Sequence, residues 1–172
     1  MTVAIYPGSF DPVHCGHVDL IERAARVFER VIVAVARNAD KMVLFPVAAR
    51  VEMLAQATKH LSNVEVDAYE GLTVTYAAQR KSRVLVKGLR AVGDLEYELK
   101  QAAMNQRLAP EMDTVFFMTS PTYNFLSSTL IREVARLGGS VSGLVPPGIE
   151  ARVRAQLTGR QSQDPERPRS RG

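Results

Sequence analysis

Residues 8–17 read GSFDPVHCGH and lie between an apolar run, TVAIYP, and a helical-looking one, VDLIERAARVFERV. Pro7 and Gly8 are expected to end a strand, Asp11 and Pro12 to make a turn, and Gly16 to let the backbone approach a ligand closely. His14 and His17 fall three residues apart where the helix should begin. A helix N-terminus offers unpaired amides and partial positive charge, so a phosphate is stabilised there, and two imidazoles one turn apart reach one side of it. The same pair can ligate a metal. Zinc, however, needs a third and usually a fourth protein ligand, and Cys15 between the histidines is expected to point away from both.

Other residues suit the same anionic chemistry. Lys41 sits in RNADKMVLF, and Lys87 and Arg90 flank Gly88 in VKGLR, where two cations leaving a buried strand favour a phosphate clamp over an ion pair with a distant acid. Ser127, Ser128 and Thr129 precede LIREVARL. One of the three is expected to cap that helix, and the cluster with its open amides makes a second anion site.

These residues need a scaffold, and its pattern is legible. VAIY (3–6), VIVAVA (31–36), VEV (64–66), RVLVK (83–87) and TVFFM (114–118) are mostly continuous apolar runs, as in strands buried on both faces of a parallel sheet. Between them, helical spacing links Val18, Ile21, Ala25 and Phe28, then Val47, Val51, Leu54 and Thr58 behind Pro46, and later Leu95, Leu99 and Ala102. A shorter helix is expected over 73–80, and IEARVRAQL follows Pro147 as the last. Strands separated by helices imply right-handed βαβ units. The expected fold class is therefore α/β, a doubly wound five-stranded parallel sheet, whose ligands bind beyond the carboxyl ends of the strands.

The 172 residues suffice for one well-buried domain, placed at 1–158, with a polar, proline-containing tail at 159–172 expected to be disordered. Hydrophobic residues make up 46% of the chain, yet no apolar run approaches the roughly 18 residues that a membrane helix needs. MTVAIYPG has neither a basic n-region nor a long h-region, so no secretory signal is expected, and the single cysteine is compatible with a reducing cytoplasm. The net charge is +4, of which the last thirteen residues supply +2. A nearly neutral body gives little support to nucleic-acid binding.

SFDPVHCGH resembles the (T/S)-x-x-x-x-(H/T)-x-G-H signature of the nucleotidylyltransferase superfamily, whose members transfer a nucleotide monophosphate and release pyrophosphate. Two further blocks, VKGLRAVGDLEYELKQAAMNQ (86–106) and YNFLSSTLIREVARLGG (123–139), with YPGSFDPVHCGHVDLIERA at the start, closely resemble the bacterial phosphopantetheine adenylyltransferases. That resemblance runs in register from about residue 2 to 157 and implies a Rossmann-like fold and adenylyl transfer from ATP to 4′-phosphopantetheine. It further implies Mg²⁺ held mainly by ATP phosphates and water, a homohexamer, coenzyme A as a feedback ligand and a cytoplasmic enzyme.

Residue by residue, the resemblance makes His17, Lys41 and Arg90 catalytic, with His14 in a supporting position often taken by threonine in relatives. Ser9, Lys41, Thr73 and Lys87 would contact phosphopantetheine. Ser9, Phe10, His17, Gly88, Leu89, Arg90 and Glu98 would contact ATP, together with Tyr123, Asn124, Phe125, Leu126, Ser127, Ser128 and Thr129, and Arg132 would add charge. Rival acceptors are nicotinamide mononucleotide and phosphorylated alcohols, and a rival class is a non-catalytic nucleotide- or RNA-binding protein that keeps the fold.

Overall fold

In a computed structural model, which describes residues 2–37, 42–90 and 92–161, strands and helices alternate along the chain. The order is β1 (Val3–Gly8), α1 (Cys15–Val27), β2 (Arg30–Ala36), α2 (Val47–Thr58), β3 (Val64–Tyr69) and α3 (Thr73–Gln79). It continues with β4 (Val84–Leu89), α4 (Val92–Leu108), β5 (Asp113–Met118), α5 (Ser128–Arg136) and α6 (Ile149–Gln161). All five strands pair in parallel in the order β3-β2-β1-β4-β5. The winding therefore reverses between β1 and β4, and the crevice beyond their carboxyl ends is where such a sheet receives ligands.

Alternation along the strands divides the core between the two faces. Ala4, Val31, Val33, Val35 and Val86 pack with Leu20, Ile21 and Ala24 of α1, Met53 and Leu54 of α2, Ile131 of α5 and Val153 of α6. Ile5, Ile32, Ala34 and Leu85 face the other way, onto Val74, Tyr76 and Ala77 of α3 and Met112. Burial on both faces holds for the central strands, whereas β3 and β5 are sheet edges and stay partly open along most of their length.

The helix expected through Leu95, Leu99 and Ala102 is α4, on which Leu95 and Leu99 are exposed. One expectation needs correction. The last helix runs three residues past the boundary placed at Thr158, so 159–161 continue α6, and 162–172 lie outside the described residues.

Candidate active site

A cleft of about 350 Å³ opens at the switch point, lined from β1 and its loop, from the end of β4 and from the mouth of α5. Its first wall is the loop after β1. Phe10 takes φ +49°, a left-handed conformation uncommon for a bulky residue, and the turn this makes buries its ring. The ring stands edge-on to Tyr6 at 5.2 Å and to His17 at 5.0 Å. Burial, with Glu98 adding to it, pushes the Tyr6 hydroxyl well above the tyrosine range, so Tyr6 stays a neutral wall.

His14 is the N-cap of α1 and His17 its third residue, and the two form a reciprocal capping box. The His17 amide donates to His14 Nδ1 at 3.3 Å, and the His14 amide donates to His17 Nδ1 at 3.2 Å. Their rings stack with centroids 3.5 Å apart. Gly16 makes the stack possible, since a Cβ there would stand 3.1 Å from the His14 ring and 3.3 Å from Tyr123. The Cys15 amide donates to the Leu144 carbonyl at 2.9 Å, and its thiol reaches the Gly143 carbonyl. Most of the free amides expected at this helix mouth are thus already partnered. Ring N–H groups, rather than these amides, are what α1 offers to an anion.

Burial lowers the pKa of His14 to about 4, with Arg90 adding to the shift, and holds His17 well below its usual value, with His14 and Arg90 adding. Both rings are therefore neutral near pH 7. Because protonation is disfavoured in the folded state, the unfolded chain binds more protons between pH 6.5 and about 4, and stability falls as the pH drops through that window. His14 alone accounts for a loss on the order of 2–3 kcal/mol by pH 4. Melting temperatures measured from pH 7 to pH 4 should fall, and more gently in His14→Thr, which has no imidazole to charge there.

Lys87 and Glu98 face each other across the second wall. Lys87, expected to clamp phosphate, has its Nζ 3.1 Å from Glu98 Oε2, so the lysine has an acidic partner in the cleft as well. That oxygen is buried and receives no aligned hydrogen bond, so the contact is one of charge alone. Gly88 lets the cleft floor lie flat against α1, since a Cβ would come within 2.6 Å of Leu20. Arg90 grips Asp94 through Nε and Nη2 and donates from Nη1 to the Leu126 carbonyl at 2.9 Å. It bridges β4 to the loop before α5, with part of its guanidinium on the cleft.

The third wall is the start of α5. Ser127 caps it by accepting from the Leu130 amide at 3.0 Å, and Ser128 donates from its hydroxyl to the Pro12 carbonyl at 2.9 Å. Thr129 accepts from Arg132 at 3.3 Å. Arg132 also donates to the Asp11 carbonyl and stands 3.6 Å from the Asp11 carboxylate.

Sequence reasoning missed the brace behind these walls. Asp11, read as a turn residue, is buried and accepts the Leu44 and Phe45 amides at 2.6 and 2.8 Å. Arg50 of α2 is equally buried and donates to the carbonyls of Phe45 at 3.0 Å, Ser9 at 2.8 Å and Ala36 at 3.4 Å. Together they tie residues 42–46 to the loop that carries Ser9. The signal was present: Arg50 lies three residues after Val47 and four before Leu54, on the apolar face of its helix.

Of the sequence-selected residues, the cleft gathers Ser9, Phe10, His14, His17, Lys87, Gly88, Arg90, Glu98, Tyr123, Ser127, Ser128, Thr129 and Arg132. Thr73 is not brought to it, being engaged with the Tyr69 hydroxyl at the first turn of α3. Leu89 is buried behind it, while Asn124 and Phe125 stand exposed at its edge and Leu126 is wholly enclosed. Lys41 lies outside the described residues.

A neutral histidine pair at a helix mouth, opposed by lysine and arginines across the switch point of a parallel sheet, suits phosphoryl chemistry on a nucleotide, and residues 5–134 match the cytidylyltransferase-like family model. A crystal structure proposed to be a nicotinate-nucleotide adenylyltransferase from Vibrio parahaemolyticus shares the fold, with a TM-score of 0.59 at 20% identity over 92% of this chain and 99% of that one. The relatives narrow the class. Phosphopantetheine adenylyltransferases of Nostoc punctiforme and Thermosynechococcus vestitus are 56% and 51% identical, covering 86% and 91% of this chain and 80% and 93% of their own lengths. That of Heliobacterium modesticaldum is 51% identical over 89% of this chain and 91% of its own. The chain belongs to the phosphopantetheine adenylyltransferase family.

Proposed function

We propose that the protein transfers the adenylyl group of ATP to 4′-phosphopantetheine, giving dephospho-coenzyme A and pyrophosphate. One observation carries this to the site: every residue lining the cleft falls within the matched stretch 5–134. An oxygen of the pantetheine phosphate forms a bond to the α-phosphorus, and the bond from that phosphorus to the bridging oxygen of pyrophosphate breaks. A phosphate monoester is largely dianionic near pH 7, so the attack needs no general base and no enzyme nucleophile. The protein's task is alignment and stabilisation of charge.

His17 supplies a neutral N–H to the α-phosphoryl oxygens, and Ser9 and the Phe10 backbone hold the two phosphates together. Arg90, Arg132 and the amides of Ser128 and Thr129 carry the β and γ phosphates, with Tyr123 beside the nucleoside. Lys87 leaves Glu98 for the acceptor phosphate, and Lys41, which follows β2 in the sequence, joins it. Magnesium, when bound, neutralises phosphate charge. Among the described residues no three histidine, cysteine or acidic side chains converge, and Asp11 already accepts two amides, so phosphate oxygens and water would hold the ion.

Incubating the purified protein with ATP, Mg²⁺ and phosphopantetheine should yield pyrophosphate and dephospho-coenzyme A. Product with nicotinamide mononucleotide instead would reject the reading. Lys87→Gln should raise KM for phosphopantetheine about tenfold and leave KM for ATP within about twofold, because an amide keeps the shape and loses the charge.

Coenzyme A carries both the pantetheine arm and an adenine nucleotide, so it should compete for the same cleft as a feedback ligand. The exposed apolar side chains of α4 and β5, Leu95, Leu99, Met104, Leu108, Val115 and Met118, support assembly into a homohexamer. Light scattering well above the 18.9 kDa chain mass would agree, and a monomer at micromolar concentration would not. No described helix is long and apolar enough to cross a membrane, and a cytoplasmic location accords with the proposed substrates.

A further inference from the structure

The three-residue spacing of His14 and His17 has a local explanation that assigns each histidine a different task. In an ordinary capping box, a Ser or Thr at the N-cap accepts from the third helical amide, and a Glu or Gln at that third position reaches back to the N-cap amide. Here His14 Nδ1 takes the first part and His17 Nδ1 the second, at 3.3 and 3.2 Å. A neutral imidazole has one acceptor nitrogen and one N–H, so a ring that accepts at Nδ1 carries its proton on Nε2. The helix start thereby selects which edge of His17 is a donor. His14 stacked on one side at 3.5 Å and Phe10 edge-on at 5.0 Å hold that ring in place.

We infer that His14 is a positioning residue, whose side chain, by capping the His17 amide, fixes His17 as an Nε2–H donor directed at the reacting phosphate. The inference rests on the adenylyl-transfer reading for its kinetic consequence but not for its geometry. The His17 amide also donates to the His14 carbonyl at 2.9 Å, so without the His14 ring it keeps that backbone partner but loses its side-chain anchor and the stacked ring; the bond from the His14 amide to His17 Nδ1 then loosens and the ring samples both tautomers. Only one tautomer serves. Threonine, a good N-cap with an oxygen acceptor, restores the anchor without an imidazole.

The test uses the full chain. Long-range proton–nitrogen correlation spectra of the histidine rings at pH 7.5 should show His17 with a bare Nδ1 and a protonated Nε2. In His14→Ala those two signals should move toward each other, kcat should fall about tenfold or more, and both KM values should stay within about threefold. His14→Thr should bring the His17 signals and kcat back to within about threefold of the parent. A proton on His17 Nδ1 in the parent protein would overturn the inference, as would a KM increase without loss of kcat in His14→Ala, or a folded His14→Thr that recovers neither readout. Should His14→Ala fail to fold, the parent spectrum and the threonine variant decide. Absence of product from the parent protein would instead reject the reaction, leaving the tautomer to be read independently.

Discussion

His17→Ala should lower kcat by about 10² or more, with a modest change in the affinity for ATP. In the proposed role, His17 would offer a neutral, pre-aimed N–H where charge develops, and removing one donor of that kind typically costs 10²–10³ in rate. A histidine held well below its usual pKa keeps this role across the neutral range, so kcat should show no histidine-type titration between pH 6 and 8. His17→Gln separates chemistry from folding. Glutamine is the ordinary partner at the third position of a capping box, so the helix start survives, while its amide does not reproduce the imidazole donor. A large loss of ATP binding with unchanged kcat in His17→Ala would place the residue in ground-state binding and reject the transition-state role.

Arg50→Met should destabilise the protein by about 2–4 kcal/mol and lower kcat/KM by about tenfold, although Arg50 lies outside the cleft. Methionine fills much of the same volume but leaves the carbonyls of Phe45, Ser9 and Ala36 without their shared donor. It also removes a cation that interacts with the enclosed Asp11 carboxylate. For a chain of this size the melting temperature should fall by roughly 5–12 °C. Circular dichroism gives the first quantity and steady-state kinetics the second. A variant that melts with the parent would show that the brace contributes nothing, and one that is unstable yet fully active below its melting point would confine Arg50 to folding.

The outline of the fold was legible because its signals are local. Continuous β-branched runs such as VIVAVA and the alternation of strand with helix specify a parallel sheet, and the sheet specifies its own crevice. The site was legible where chemistry clustered in short motifs, as at His14 and His17, at Lys87 and Arg90, and at Ser127 to Thr129. What stayed hidden depends on partners distant in the chain. Asp11 finds its donors at Leu44 and Phe45, Lys87 meets Glu98 on another element, and the stripe on α4 has the period of a buried helix yet stays exposed among the described residues. Arg50 shows the opposite case, a polar residue on an apolar stripe whose place was visible and whose meaning needed three carbonyls in space.

Cys15 joins the first turn of α1 to Leu144, and Ser128 joins Pro12 to α5. The histidine loop is thus tied from far along the chain: His14 and His17 lie within the first seventeen residues, but these two hydrogen bonds come from residues more than a hundred positions later. On the ribosome, a nascent chain therefore carries both imidazoles before the residues that hydrogen-bond their loop from Ser128 and Leu144 have been made.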